Sequence, residues 1–182
     1  MDATANAVSL LIEAISFAAE KHRNQRRKDA SASPYINHPI ALADVLANEG
    51  RVTDIDVLCA AVLHDTIEDT ETTVAELENR FGPRIASIVV EVTDDKSLPK
   101  QVRKQLQIEH AASASREAKL VKLADKICNL RDILNAPPAD WPAERKQAYF
   151  DWAARVVANI RGIHPGLETA FDELYARTAE LV

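Results

Sequence analysis

The chain has 182 residues, 47% apolar and 27% charged, a composition that excludes a disordered or fibrous protein. Its 22 basic and 28 acidic side chains give a net charge of −6, which argues against a general binder of nucleic-acid polymers or anionic membranes. Only four Gly in an Ala-rich chain leave too few turn residues for a sheet-rich fold, so the expected class is all-α.

Residues 4–24 place Val8, Leu11, Ile12, Ile15, Ala18 and Ala19 at amphipathic helix spacing. Lys21, Arg23, Arg26, Arg27 and Lys28 follow as the densest basic cluster, and Asp29 to Pro34 reads as a loop, with room for one short β-hairpin near residues 26–37. Asn37-His38-Pro39 starts a helix to about Asn48, since Pro suits the first helical position. Thr53 caps the next, which ends near His64 to Thr66. Thr72 or Thr73 opens a short helix to Arg80, and Gly82-Pro83 breaks it and starts another to about Thr93. Pro99 begins a polar helix to His110. Ser113 or Ser115 caps a long one with Leu120, Leu123, Ala124, Ile127, Leu130 and Leu134 as its core stripe, ended by Pro137-Pro138. Helices over 142–161 and 165–180 complete one expected domain, residues 1–182, of eight to ten helices.

Cys59 and Cys128 sit in apolar helical contexts without a C-x-x-C pattern, which predicts buried free thiols and a reducing compartment. Met1 to Lys21 has no basic residue before Lys21, unlike a signal or transit peptide. No apolar run approaches the ~18 residues of a membrane span. The expected location is the cytoplasm, with no membrane partner.

Metal ligands are lone-pair donors that converge. The candidates are His38, the pair His64-Asp65, and Asp125. Two imidazoles with two carboxylates suit Mn²⁺, Fe²⁺ or Zn²⁺. His64-Asp65 ends an apolar stretch and Asp125 lies in an apolar helix, so both carboxylates need compensation that a cation supplies. Glu68, three or four residues beyond that pair, faces the same side if the helical turn continues, with Asp69 beside it. An unligated carboxylate next to a metal site can move the proton that hydrolysis requires. An ordinary capping His and an acidic exposed loop are the plain alternatives.

In this order the residues resemble the HD phosphohydrolase superfamily, whose H…HD…D pattern is met by His38, His64-Asp65 and Asp125. More narrowly, the chain is similar to the RelA/SpoT-type (p)ppGpp hydrolase domain, in the small stand-alone form related to the metazoan SpoT homologue. Tyr35-Ile-Asn-His38-Pro39, Leu63-His-Asp-Thr-Ile-Glu-Asp-Thr70, Glu91-Val-Thr-Asp-Asp-Lys96 and Lys119-Leu-Val-Lys-Leu-Ala-Asp-Lys126 with Asn129-Leu-Arg131 carry that resemblance. It implies Mn²⁺ on His38, His64, Asp65 and Asp125, with Glu68 and Asp69 as the acidic pair of hydrolysis. It also implies Arg27 and Lys28 on the guanine side and Asn129 at the nucleoside.

The implied reaction removes the 3′-diphosphate of ppGpp or pppGpp as pyrophosphate. So anionic a substrate needs cations held locally on an acidic protein: Arg26 to Lys28 on one wall, and Lys96, Lys100, Arg103 and Lys104 on another. Tyr149 and Trp152, three residues apart, line the pocket mouth or pack between helices. Relatives also imply an alternative substrate, NADPH or another 2′- or 3′-phosphorylated nucleotide. A non-catalytic alarmone-binding protein is the alternative outside enzymes.

Overall fold

The apolar spacing resolves into ten α-helical segments among residues 3–181, the residues described by the computed structural model. Residues 1, 2 and 182, the ends of the expected domain, lie outside the described residues. The segments are α1 (Ala3–Lys21), α2 (Asn37–Asp44), α3 (Ile55–Leu63), α4 (Thr66–Asp69), α5 (Val74–Phe81), α6 (Pro83–Val92), α7 (Lys100–Ala111), α8 (Arg116–Asn135), α9 (Ala143–Ala158) and α10 (Pro165–Ala176). A π-helical turn, Val45–Glu49, continues α2, and a 3₁₀ turn, Arg177–Glu180, follows α10.

Local chemistry sets most boundaries. Thr73 Oγ1 accepts the Glu76 N–H at 3.2 Å and Ser115 Oγ the Ala118 N–H at 3.1 Å, the N-cap pattern of hydroxyl residues. Gly82 closes α5 at φ 87°, a backbone that favours glycine, and Pro83 opens α6. The cap of α3 falls one residue later than expected. Asp54, not Thr53, accepts the Asp56 N–H at 3.0 Å, and its carboxylate also suits the positive end of the helix.

The hairpin allowed near residues 26–37 does not form. A single antiparallel bridge joins Arg26 to Pro34, flanked by Arg27 N–H to Ser33 O at 2.8 Å and Tyr35 N–H to Gln25 O at 3.1 Å. Pro34 has no N–H to extend a ladder, and Ala32 turns the loop at φ 47°.

Helix α3 is apolar all round and sits at the centre, with Val57 to Leu63 buried without a break. Helices α1, α2, α6 and α8 pack around it. Helix α8 is buried along Leu120, Leu123, Ala124, Ile127 and Leu130. Cys59 and Cys128 are buried and free, and burial pushes the Cys59 thiol up to about 12. No helix among the described residues is long and apolar enough to cross a membrane. The polar side chains that end α3, begin α2 and interrupt α8 are therefore carried into the interior together.

Candidate active site

His38 is the second residue of α2, His64 follows the last residue of α3, Asp65 precedes α4, and Asp125 lies midway along α8. One ligand atom each from His38, His64 and Asp65 lie within 4.8 Å of one another. Asp125 Oδ1 joins them at 3.3 Å from His38 Nε2. The His64 Nδ1–H donates to the Ala61 carbonyl at 2.8 Å, so in the neutral ring Nε2 carries a lone pair, and it faces Asp65 Oδ2 at 2.9 Å. His64 Nε2 and His38 Nδ1 are buried without hydrogen-bond partners. Two acceptors set against each other in a buried site call for a cation, and the N₂O₂ donor set fits a divalent one.

The electrostatics agree. Burial pulls the His64 imidazole down, but Asp65 and then Asp125 hold it up at about 9. Burial drives His38 below its ordinary value despite the neighbouring Asp125. Burial raises Asp65, yet His64, His38 and the Tyr35 phenol, which donates to Asp65 Oδ2, hold it well below the usual carboxylate range. Negative charge at the ligand carboxylates is thus stabilised before any metal is considered.

Glu68 and Asp69 follow in α4 but face different ways, as neighbouring positions on a helix do. Glu68 Oε2 accepts the Asp94 N–H at 3.1 Å, and Oε1 lies 3.4 Å from an Arg103 nitrogen. Burial pushes the Glu68 carboxyl up to about 7, with Asp65, Asp94 and Asp69 adding to the rise and the Asp94 N–H opposing it. Asp69 turns toward Gln25, whose Nε2 donates to Oδ2 at 2.7 Å, and toward the Lys96 ammonium.

A cleft opens over these residues in two lobes, of about 460 and 440 Å³. The first holds His38, His64, Asp65, Glu68 and Asp125, with Lys100 and Arg103 on its wall. The second holds Lys28, Asp69, Lys96 and Asp132. Arg27, Tyr35, Asn129, Trp141 and Tyr149 border both. Every residue expected at the substrate therefore lines one lobe or the other. Asn129 donates to Asp125 Oδ1 at 2.6 Å and faces Arg27 at 3.4 Å, linking the two. Tyr149 does both things expected of it: it lines the cleft and packs 5.2 Å from Trp152.

Seven basic residues line the first lobe (Arg27, Lys100, Arg103, Lys104, Lys122, Lys126, Arg145) against four acidic ones (Asp65, Glu68, Asp94, Asp125). The local balance is +3 on a chain of −6. Several of these residues escape the sequence reading. Tyr35 enters it only as part of a motif, although its place three residues before His38 is a signal. Lys126 adjoins Asp125, and Arg145 lies one helical turn before Tyr149. Gln25 carries no signal of its own.

A family model described as the HD domain matches residues 14–159. The chain is 53% identical over 170 residues to a guanosine-3′,5′-bis(diphosphate) 3′-pyrophosphohydrolase, MESH1, of Danio rerio, covering 93% of this chain and 94% of that one. It is 54% identical over 165 residues to the protein of the same name from Homo sapiens, covering 91% and 92%. A solved structure, a metazoan orthologue of SpoT described as hydrolysing ppGpp, superposes with a TM-score of 0.90 at 49% identity, covering 92% of this chain and 94% of that one.

Proposed function

The chain belongs to the HD domain family, and on that premise we propose that it hydrolyses the 3′-diphosphate of ppGpp or pppGpp, giving GDP or GTP and pyrophosphate. The observation that carries this reading is the buried His38, His64, Asp65 and Asp125 cluster at the base of a lobe with surplus positive charge. In this reading those four residues hold Mn²⁺. When bound, such an ion lowers the pKa of water and offsets phosphate charge. The chain acts in the cytoplasm as one HD domain on a small nucleotide, without a nucleic-acid polymer.

A water oxygen forms a bond to the phosphorus attached to the 3′ oxygen, and the bond from that phosphorus to the 3′ oxygen breaks. The 3′ oxygen gains a proton, and pyrophosphate leaves. Glu68, buried and pushed up to about 7, is poised to hold or release a proton near neutral pH. Arg103, 3.4 Å from Glu68, and Lys100 supply positive charge where negative charge develops. Asp69, fixed by Gln25 and Lys96, supports the same chemistry from the second lobe. Arg27 is anchored by Asp132 at 2.5 Å and lies 5.7 Å from the Tyr35 ring centre, so its planar guanidinium can face a guanine. Lys28, Asn129 and Tyr149 complete the nucleoside side.

The test is release of pyrophosphate and phosphate from ppGpp, pppGpp and NADPH with Mn²⁺, with and without chelator. The expected result is pyrophosphate from the guanosine substrates, abolished by chelator. No turnover of either guanosine 3′-diphosphate overturns the reading, and turnover of NADPH alone moves the substrate to a ribose monophosphate.

A further inference from the structure

Three helices bring two ammonium groups onto one indole ring beside the metal-ligand cluster. Trp152 of α9 is buried, and its Nε1–H donates to the backbone carbonyl of Lys104 on α7 at 3.0 Å. Lys104 Nζ lies 4.6 Å from the centre of that ring, and Lys126 Nζ, from α8, lies 4.4 Å from it. The two charges can be no farther apart than those two distances combined, a separation that the two phosphoryl groups of a diphosphate can bridge. Lys126 is also tied to Asp125 Oδ2 at 2.8 Å and to Gln107 Oε1 at 3.1 Å, which places it next to the ligand set. Lys104 has no carboxylate within ion-pair distance among the described residues. Burial and the neighbouring charges of Lys100 and Lys126 make its ammonium easier to deprotonate than usual.

Like charges gathered in the wall of a cleft repel each other, and the face of Trp152 offsets only part of that repulsion. A polyanion removes the rest. Lys126, beside Asp125, meets a phosphoryl group at the ligand cluster, while Lys104 sits across the indole ring and meets the next group along. We propose that Lys104 and Lys126, held on Trp152, form a subsite for the distal phosphoryl group of the 3′-diphosphate and thereby select a diphosphate over a monophosphate at the reacting position. This inference rests on the substrate class proposed above. The distal group stays bonded to its neighbour through hydrolysis, so the subsite grips it in substrate and product alike. A 3′-monophosphate ends short of Lys104 and leaves its charge unanswered.

The variant Lys104→Met keeps the packed stem on Tyr149 and Trp152 and removes only the charge. With Mn²⁺ present, kcat/KM for guanosine 3′,5′-bis(diphosphate) should fall at least tenfold more than kcat/KM for guanosine 5′-diphosphate 3′-monophosphate. Inhibition by inorganic pyrophosphate should weaken at least fivefold more than inhibition by orthophosphate. Trp152→Leu should move both ratios the same way, with a thermal melt to check that it folds. Equal losses on both nucleotides, or an unchanged ratio of pyrophosphate to orthophosphate inhibition in Lys104→Met, overturn the proposal. Titration of wild type and Lys104→Met with pyrophosphate gives an answer independent of turnover. If the wild type binds pyrophosphate better than orthophosphate and the variant does not, the subsite stands even where ppGpp is not hydrolysed and the substrate reading falls. If the two proteins bind pyrophosphate alike, the subsite falls alone.

Discussion

The two lobes of the cleft handle positive charge in opposite ways. In the second, the cations are already engaged: Arg27 with Asp132, Lys96 with Asp69, and Arg26 with the carbonyls of Arg23 and Gln25 at 2.8 and 2.9 Å. In the first, Lys100, Lys104 and Arg145 line the wall with no ion pair among the described residues. A paired cation has little left to offer a phosphate, but it is fixed in place and can present a flat surface to a base. An unpaired one retains its Coulomb energy for a ligand that brings several negative charges. The first lobe is therefore built to hold phosphate and the second to orient a nucleoside.

That contrast can be tested by where substitutions register, in turnover or in substrate affinity. The largest effect belongs to Asp125→Ala, which should lose bound metal and turnover together, on the order of a thousandfold or more in kcat. Metal content by elemental analysis beside steady-state rates checks it. Next, Glu68→Gln should lower kcat by about 10²–10⁴-fold while bound metal is retained. If that variant also emptied of metal, Glu68 would belong among the ligands and the division of roles would break.

Glu68→Gln has a second expected signature. The folded-state value of about 7 lies above the ordinary 4.5, so the stability that Glu68 contributes is fully present below pH 4.5 and lost as pH rises through 7. In chelator-treated protein at pH 8, the Gln variant should be more stable than wild type by at most roughly 3 kcal/mol, with the difference closing toward pH 4. Denaturant melts at the two pH values measure it. On the nucleoside side, Arg27→Met should raise KM about tenfold and leave kcat within about twofold. A collapse of kcat instead would put Arg27 in the chemistry and blur the two lobes. The smallest effect is expected outside the cleft, where Glu49 and Arg131 pair at 2.6 and 2.7 Å while half-exposed. Arg131 holds the Glu49 carboxyl below its ordinary value, so the pair stabilises above the usual carboxylate range and fades in acid. Glu49→Gln should cost less than about 1 kcal/mol and leave both kinetic constants alone.

How much the sequence reveals depends on the range of the interactions involved. The helices opened by Thr73 and Ser115, and the break at Gly82-Pro83, are legible because a cap or a breaker acts within a few residues. His38, His64-Asp65 and Asp125 are legible as an ordered set in helical segments. The divergence of Glu68 and Asp69 is not. Continuing the helix through His64 puts them on one side, but the chain turns at Asp65 (φ −99°, ψ 0°) and α4 starts afresh. The ring of Trp152 shared by Lys104 and Lys126 is also hidden, because its members come from three helices and answer to no local period.

The π-helical turn at Val45–Glu49 has a consequence for how this chain tolerates insertion and loss. Such a turn holds one residue more than an α-turn of the same chain path. Here that surplus sets the register of two contacts at its far end: Glu49 meets Arg131 of α8, and the Gly50 carbonyl receives the Nε2–H of His164 ahead of α10 at 2.7 Å. Deleting a single residue from Val45–Glu49 would restore α-helical winding and swing both partners about 100° around the axis. The same deletion in the exposed loop between Asp29 and Ser33 has no such lever arm. A surplus residue in a helix thus works as a spacer for the whole bundle.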